Sequence, residues 1–218
     1  MKLIVDEYVE MWKRCLDEQE KQMSEIRSIK HDMQAHMLVL QYYLEEEMYD
    51  KAKAYLHKMR NKEYTENAEI YVETGNSLVN AIIKDYLKKS GLMIQFVSNG
   101  ELPNDAIITD YDWCTVFSNL MSNAIEACQK LQDLEKVIYL QISTDEKNLC
   151  ITMTNPVQEK VEKEMLEKGT TKEEKQAHGF GLKNVRKVVE KYNGRIEYQC
   201  ERNEFSVRMI LPKSEIEK

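Results

Sequence analysis

The sequence NLMSNAIEA, residues 119–127, is the stretch on which the fold assignment depends. It lies in a predicted helix over 110–131 that has an apolar face and a polar face. Asparagine is a poor helix former, costing about 0.6 kcal/mol relative to alanine, yet two occur here one turn apart. An ordinary solvated face would show the same spacing, but side-chain amide oxygens are also suitable ligands for Mg²⁺. The polar face comprises Asn119, Asn123, Glu126 and Lys130.

Further along the chain, the sequence HGFGL, residues 178–182, opens another predicted helix over 179–192. The chain has only seven glycines, and Gly179 and Gly181 lie one residue apart. Glycines at a helix N-terminus let a phosphate approach free backbone N–H groups at the positive end of the helix dipole. Lys172, in GTTK just upstream, could add a cation. A lone GxG is weak evidence, and its neighbours strengthen it.

The elements around these two helices predict an α+β fold, in which helices cover one face of a mostly antiparallel sheet. The stretch from Asn155 to His178 is polar and weakly periodic, and loops of this length are usually functional lids or disordered. The other expected elements are a helix over 78–87 ending near Ser90-Gly91, strands over 92–97, 137–143 and 149–154, a turn at Asn193-Gly194, and a hairpin of strands 195–200 and 204–211.

The N-terminal third predicts a helical hairpin. From Val5 to Leu44, mostly apolar residues recur at alternating steps of four and three, which is typical of a coiled-coil seam. A turn is expected over 45–50, and helical spacing resumes from Met48 to Met59. A single amphipathic helix of this length would expose its apolar stripe, so we expect two hairpins to form a four-helix bundle in a homodimer.

Lys30 interrupts this seam and is followed by His31 and Asp32, which the heptad places on the exposed side of the helix. A histidine at such a position is often only solvated. An adjacent carboxylate, however, can accept the proton of one ring nitrogen and leave the other as a nucleophile in a fixed tautomer. His36 lies five residues on, which is not a same-face spacing for metal ligands.

Together these motifs resemble the cytoplasmic core of sensor histidine kinases. Residues 119–127 are similar to the N box of the ATP-binding (GHKL) fold that these kinases share with type II topoisomerase ATPases, and residues 178–182 resemble its second glycine box. His31-Asp32 resembles the phosphoacceptor site of a dimerisation hairpin. The likeness extends from about Ile29 to Pro212. It is greatest to the peptide-sensing subgroup of the accessory-gene-regulator and virulence-sensor type, in which a basic residue precedes His-Asp.

The resemblance implies a coiled-coil signalling helix over 1–28, a dimerisation and phosphotransfer hairpin over 29–72, and an ATP-binding catalytic domain over 73–218. It implies that Asp32 orients His31, that His31 is phosphorylated from Mg·ATP, and that the phosphoryl group passes to an aspartate of a response regulator. Asn123 would be the Mg²⁺ ligand, and 156–178 would be the lid. The implied nucleotide-binding residues are Asn119, Asn123, Glu126, Asn155, Thr170, Thr171, Lys172, His178, Gly179, Gly181 and Leu182.

One position separates the sequence from the topoisomerase-type ATPases, and two others depart from the common pattern of the kinases. The topoisomerase-type ATPases have a glutamate in place of Asn119, and an amide cannot activate water, which favours transfer over hydrolysis. The usual D-x-G-x-G box is absent, and Thr154-Asn155-Pro156 stands in its place, so Asn155 is the expected adenine contact. The fourth residue after His31 is Ala35, where related kinases have an Asn or Thr that helps to position water; autophosphorylation is expected, and phosphatase activity is not implied.

Composition excludes several other classes of protein. The net charge of −7 predicts no nucleic-acid partner. The five cysteines form no CxxC pair, so neither a disulfide framework nor a zinc site is expected. No run approaches 18 apolar residues and no signal peptide is evident, so we expect a cytoplasmic chain that reaches a membrane only through a sensor segment outside this sequence. The alternatives are a GHKL-fold ATPase or serine kinase without histidine phosphorylation, and a nucleotide-binding pseudokinase scaffold.

Overall fold

The computed structural model describes residues 2–60, 70–131, 135–158 and 180–213, with side chains described from Leu16 onward except at Arg60 and Phe180. The chain divides into two compact units, Met1–Glu63 and Tyr64–Lys218. The finer division of the first unit at residues 28 and 29 stays a prediction. Among the described residues, none of the helices has both the length and the apolar composition needed to cross a membrane.

The first unit is a hairpin of α1 (Lys2–Glu45) and α2 (Tyr49–Arg60), as the sequence predicts. The two helices meet where Leu40 and Ala52 are buried and where His36 Nδ1 lies 2.8 Å from the hydroxyl of Tyr55. Many other apolar residues of the seam are exposed in this single chain, among them Met33 and Met37. The hairpin therefore leaves an apolar face of α1 uncovered.

The second unit contains a five-stranded sheet in the order β1-β2-β3-β5-β4, with β1 parallel to β2 and the other pairs antiparallel. Alternate residues of the strands are buried on one face, where the apolar side of α4 packs, so the predicted α+β sandwich is confirmed. The elements are α3 (Ser77–Ser90), β1 (Gln95–Asn99), α4 (Asp110–Gln129), β2 (Val137–Thr144), β3 (Asn148–Pro156), α5 (Phe180–Lys191), β4 (Arg195–Glu201) and β5 (Glu204–Pro212).

Local capping explains where the helices of this unit begin and end. The side chain of Asn76 accepts a hydrogen bond from the backbone N–H of Val79 at the start of α3. Gly91 ends the same helix with φ of 63°, the left-handed conformation that favours glycine. Thr109 caps α4, and its hydroxyl accepts from the backbone N–H of Asp112. The predicted end of α3 near Gly91 is thus confirmed.

Among the element boundaries that differ from the sequence prediction, two have a local reason. Strand β1 begins at Gln95, because residues 92–94 form a tight turn in which the N–H of Ile94 donates to the carbonyl of Leu92. Helix α4 ends at Gln129 instead of Leu131, because the backbone N–H groups of Lys130 and Leu131 donate to carbonyls three positions back instead of four. Neither change moves the polar face of α4.

Candidate nucleotide-binding site

The polar face of α4 carries the amides that the sequence places in the site. Asn119 and Asn123 are partly exposed, whereas Phe117 and Leu120 on the opposite face are buried in the core. The Nδ2 of Asn119 donates to the carbonyl of Thr115, 2.6 Å away, which fixes the orientation of the amide. The predicted division of this helix into an apolar and a polar face is confirmed.

The first turn of α5 passes directly over these two amides. A Cβ added at Gly181 would lie 3.2 Å from Asn119 Oδ1 and 3.3 Å from Asn123 Oδ1, which is tighter than ordinary van der Waals contact. The glycine is needed here because of this close approach, since its backbone conformation is one that any residue adopts. The structure thus brings together Asn119, Asn123 and Gly181, which the sequence places far apart.

Asn123 has an unsatisfied polar atom. Its Nδ2 is buried and, among the residues that the structure describes, has no hydrogen-bond partner. Leaving a buried donor unpaired costs about 1–3 kcal/mol, so such an atom usually has a functional reason. An asparagine amide offers both an N–H donor for a phosphate oxygen and a hard oxygen for Mg²⁺. The residue therefore fits a site for a magnesium-bound phosphate.

The other described site residues lie on the same elements. Glu126 is partly exposed on α4 and accepts a hydrogen bond from the hydroxyl of Ser122 at 3.1 Å. Leu182, next to Gly181 on α5, is half-buried and packs against the core. The roles of both residues in nucleotide binding stay predictions.

Asn155 lies near the end of β3 with its side chain on the buried face of the sheet. It is 5% exposed, and it pairs with Phe205 of β5. Its Nδ2 donates to the carbonyl of Pro156 at 3.0 Å, so the amide has a fixed orientation in which Oδ1 points away from that carbonyl. An oxygen held in this way suits the exocyclic amine of adenine, which is a donor.

Several predicted site residues lie outside the described part of the chain. These are Thr170, Thr171, Lys172, His178 and Gly179, together with most of the expected lid over 156–178. Their assignment stays a prediction.

The candidate phosphoacceptor is in the hairpin unit. The side chains of His31 and Asp32 are 83% and 69% exposed, in agreement with the expected position on the helix. The distance from His31 Nδ1 to Asp32 Oδ1 is 3.7 Å, which is longer than a hydrogen bond. A change of side-chain rotamer would be needed before Asp32 could orient the imidazole.

A buried carboxylate on α4 was not singled out from the sequence. Asp112 is 4% exposed and accepts hydrogen bonds from Lys191 Nζ and the Tyr192 hydroxyl, both at 2.6 Å, and from the Thr109 hydroxyl at 2.8 Å. Burial raises the pKa of this carboxyl, but the three hydrogen bonds outweigh it and the net pKa is lowered. The T-x-x-D spacing of Thr109 and Asp112 could have indicated a helix cap in the sequence. The bond from Lys191 could not have been predicted, because a partner 79 residues away leaves no local pattern.

Comparisons with known proteins bear on the family and the fold of the second unit. Residues 108–212 match the family described as GHKL domain. A probable C4-dicarboxylate sensor kinase of Halalkalibacterium halodurans is 28% identical over 112 residues, which are 49% of this chain and 21% of that protein. The chain therefore aligns with only about a fifth of this curated relative.

Solved structures show the same fold. The nucleotide-free catalytic domain of histidine kinase ThkA superposes with a TM-score of 0.51 at 20% identity, covering 67% of this chain and 97% of that one. The mycobacterial sensor histidine kinase MprB gives a TM-score of 0.50 at 12% identity, covering 64% and 94%. These structures bear on the fold alone. Together with the family match and the curated relative, the motifs support a sensor histidine kinase core.

Proposed function

We propose that this chain is the core of a homodimeric protein-histidine kinase, which phosphorylates itself on His31 from Mg·ATP and passes the phosphoryl group to an aspartate of a response regulator. The observation that carries the proposal is the convergence of Asn119, Asn123 and Gly181 within a GHKL domain. The exposed His31-Asp32 pair on a helical hairpin of the same chain supplies a candidate acceptor. An ATPase of this fold needs no such acceptor.

The nucleotide site would act mainly by positioning and by neutralising charge, as phosphoryl transfer generally requires. The amide oxygen of Asn123 would hold Mg²⁺, which would supply positive charge to neutralise the phosphates. Gly181 leaves the two amides open to the phosphates at the start of α5. Asn119 is an amide and cannot abstract a proton, which favours transfer over attack by water. Asn155 would select adenine by accepting from its exocyclic amine.

The acceptor histidine needs orientation more than deprotonation. An imidazole with an ordinary pKa near 6.5 is mostly neutral at pH 7, so one ring nitrogen already has a free lone pair. After a rotamer change, the Asp32 carboxylate would accept a hydrogen bond from the Nδ1–H group of His31 and leave the lone pair of Nε2 free to attack the γ-phosphorus. The bond to the β,γ-bridging oxygen then breaks, ADP leaves, and the positive charge on the ring is stabilised by the Asp32 carboxylate.

A receiver domain that takes this phosphoryl group must cover the face of α1 that carries His31. At 3.6 residues per turn, Leu38 and Tyr42 lie within about 40° of His31 on that helix. They are 67% and 53% exposed. The seam residues Met33 and Met37 lie on the opposite side of α1 and would be covered by a second copy. We therefore place the receiver on the stripe of His31, Leu38 and Tyr42, and the homodimer on the seam.

The finer assignment to the peptide-sensing subgroup rests on two short motifs. One is the basic residue before His31-Asp32, and the other is Thr154-Asn155-Pro156 at the place of the usual adenine box. We propose that the chain acts in the cytoplasm, because ATP and receiver domains are found there, and that it is the cytoplasmic part of a membrane-anchored sensor, which its similarity to a sensor kinase supports. No nucleic-acid partner is proposed.

The decisive experiment incubates the purified chain with Mg²⁺ and ATP labelled at the γ-phosphate. We expect label that is labile to acid and stable to alkali, as phosphohistidine is, and we expect His31→Gln to abolish it. His57→Gln is the matched control, because His57 is an exposed histidine on α2 and should keep full labelling. No label on the wild-type protein would refute the kinase proposal, and acid-stable label would indicate a hydroxyl acceptor.

The receiver surface is tested separately. In Leu38→Arg, transfer to any receiver domain that takes label from the wild-type protein should slow relative to autophosphorylation, which is measured in parallel. Unchanged transfer in this variant would contradict the assigned docking face without affecting the kinase proposal.

A further inference from the structure

The two ends of the contact between α4 and α5 are held by different polar groups. At one end, Gly181 lies against the amides of Asn119 and Asn123. At the other end, Lys191 and Tyr192 donate to the buried carboxylate of Asp112. The two helices therefore run antiparallel, with the candidate nucleotide site at the start of α5 and the carboxylate cluster at its end.

The spacing between these two contacts matches on both helices. Gly181 and Lys191 are ten residues apart, which is about 15 Å along α5. Asp112 precedes Asn119 by seven residues and Asn123 by eleven, which is about 10–16 Å along α4. Because a helix is stiff over this length, a shift of α5 at the carboxylate end would be carried to Gly181.

The middle of the contact is apolar. Val185, Val188 and Val189 of α5 are buried in the core cluster, which also contains Phe117 and Leu120 of α4. Apolar contact is non-directional, whereas short hydrogen bonds to a charged group define one geometry. The polar group around Asp112 also joins the start of α4 to the end of α5, because the hydroxyl of Tyr192 accepts a hydrogen bond from the backbone N–H of Thr109 at 3.2 Å.

We propose that Asp112, with Lys191 and Tyr192, is a positioning residue that sets the axial register of α5 against α4 and so keeps Gly181 over the amides of Asn119 and Asn123. The carboxylate lies about 10–16 Å along α4 from the two amides and acts on them through the helix. The consequence for binding rests on the proposed function, whereas the consequence for the helix register does not.

The test compares Asp112→Asn and Tyr192→Phe in the full chain, at a temperature well below the unfolding midpoint of each variant. Tyr192→Phe keeps the ring and removes only the hydroxyl, so it remains informative if Asp112→Asn folds poorly. The control is Asp110→Asn, a neighbouring exposed carboxylate in the first turn of α4. Calorimetric titration with a non-hydrolysable ATP analogue and Mg²⁺ gives the affinity, and NMR of the asparagine side-chain amides reports the register.

Both variants should weaken nucleotide binding about tenfold, as small misplacements in a preorganised site do. They should also shift the side-chain amide signals of Asn119 and Asn123, which Asp110→Asn should leave unchanged. Full affinity and unshifted signals in a variant with a lowered melting temperature would overturn the proposal, because the cluster would then only stabilise the fold. If the wild-type chain binds no nucleotide, the proposed function fails, and the amide signals still decide the register.

Discussion

Replacing Gly181 with alanine should weaken nucleotide binding without lowering the folding stability of the protein. The added methyl group would lie 3.2 Å from Asn119 Oδ1, 3.3 Å from Asn123 Oδ1 and 3.5 Å from Asn123 Nδ2. Real Cβ contacts are mostly longer than 3.4 Å, so the two amides must move by a few tenths of an ångström. The methyl group would also occupy the space through which a phosphate reaches these amides.

The magnitudes follow from the position of Gly181 in the first turn of α5. Alanine is favoured over glycine in a helix by up to about 1 kcal/mol, and the close contacts offset part of this gain. We therefore expect the free energy of unfolding without nucleotide to stay constant or to rise by up to about 1 kcal/mol. Losing the phosphate contacts should weaken Mg·ATP binding at least tenfold, or about 1.4 kcal/mol.

The assay measures urea unfolding and the binding of a fluorescent ATP analogue on the same preparations. Gly91→Ala is the matched control, because Gly91 has φ of 63° at the end of α3 and, apart from its chain neighbours, no atom of the described residues lies within 4 Å of an added Cβ. That substitution should reduce stability by about 1–2 kcal/mol, since alanine is strained in this conformation, and leave the affinity unchanged. Wild-type affinity in Gly181→Ala would refute the placement of the phosphates between α5 and the asparagines.

Three further predictions test Asn123, the buried carboxylate of Asp112 and the position of Ala35. Asn123→Ala should abolish autophosphorylation and, because it removes a buried unpaired Nδ2, raise the free energy of unfolding without nucleotide by about 1 kcal/mol; a loss of stability in urea would contradict the assignment of that atom. Because the pKa of Asp112 is lowered in the folded protein, this carboxylate stabilises the fold above the ordinary carboxyl pKa near 3.9, and the stabilisation is lost as the pH falls through the folded pKa. The pKa of Lys191 is raised, chiefly by its hydrogen bond to Asp112, so this group stabilises the fold below about pH 10.4, and its stabilisation is lost as the pH rises through the folded pKa. Asp112→Asn should therefore flatten both limbs of stability against pH, measured by urea unfolding, and an unchanged acid limb would contradict it. Ala35→Asn should speed loss of label from a phosphorylated receiver and leave labelling of His31 unchanged, because an amide can orient water where alanine cannot; equal rates in both proteins would show that this position does not control dephosphorylation.

Local periodicity made most of the second unit predictable. The helix over α4 and the closing hairpin after Gly194 follow from spacing and turn chemistry, and both are confirmed. Strand order was beyond local reasoning, because the placement of β5 between β3 and β4 depends on which edges meet in space. The contact of Gly181 with Asn119 and Asn123 was expected only through the family resemblance. The partners of Asp112 were not expected at all, since two residues 79 or 80 positions apart share no periodic signal.

In the hairpin, the heptad pattern predicts one apolar stripe along α1. Helix α2 covers part of this stripe and leaves the rest exposed. Tyr55 of α2 bonds to His36 and packs edge-on against Tyr43, so α2 covers the side of α1 that carries these residues and Leu40. Met33 and Met37 remain exposed on the adjacent side. His31 lies on neither side. At 100° per residue, it is about 140° around the helix from His36 and about 180° from Leu40, which both face α2. A second copy on the uncovered seam would therefore leave the acceptor face open, which an acceptor of phosphoryl groups requires.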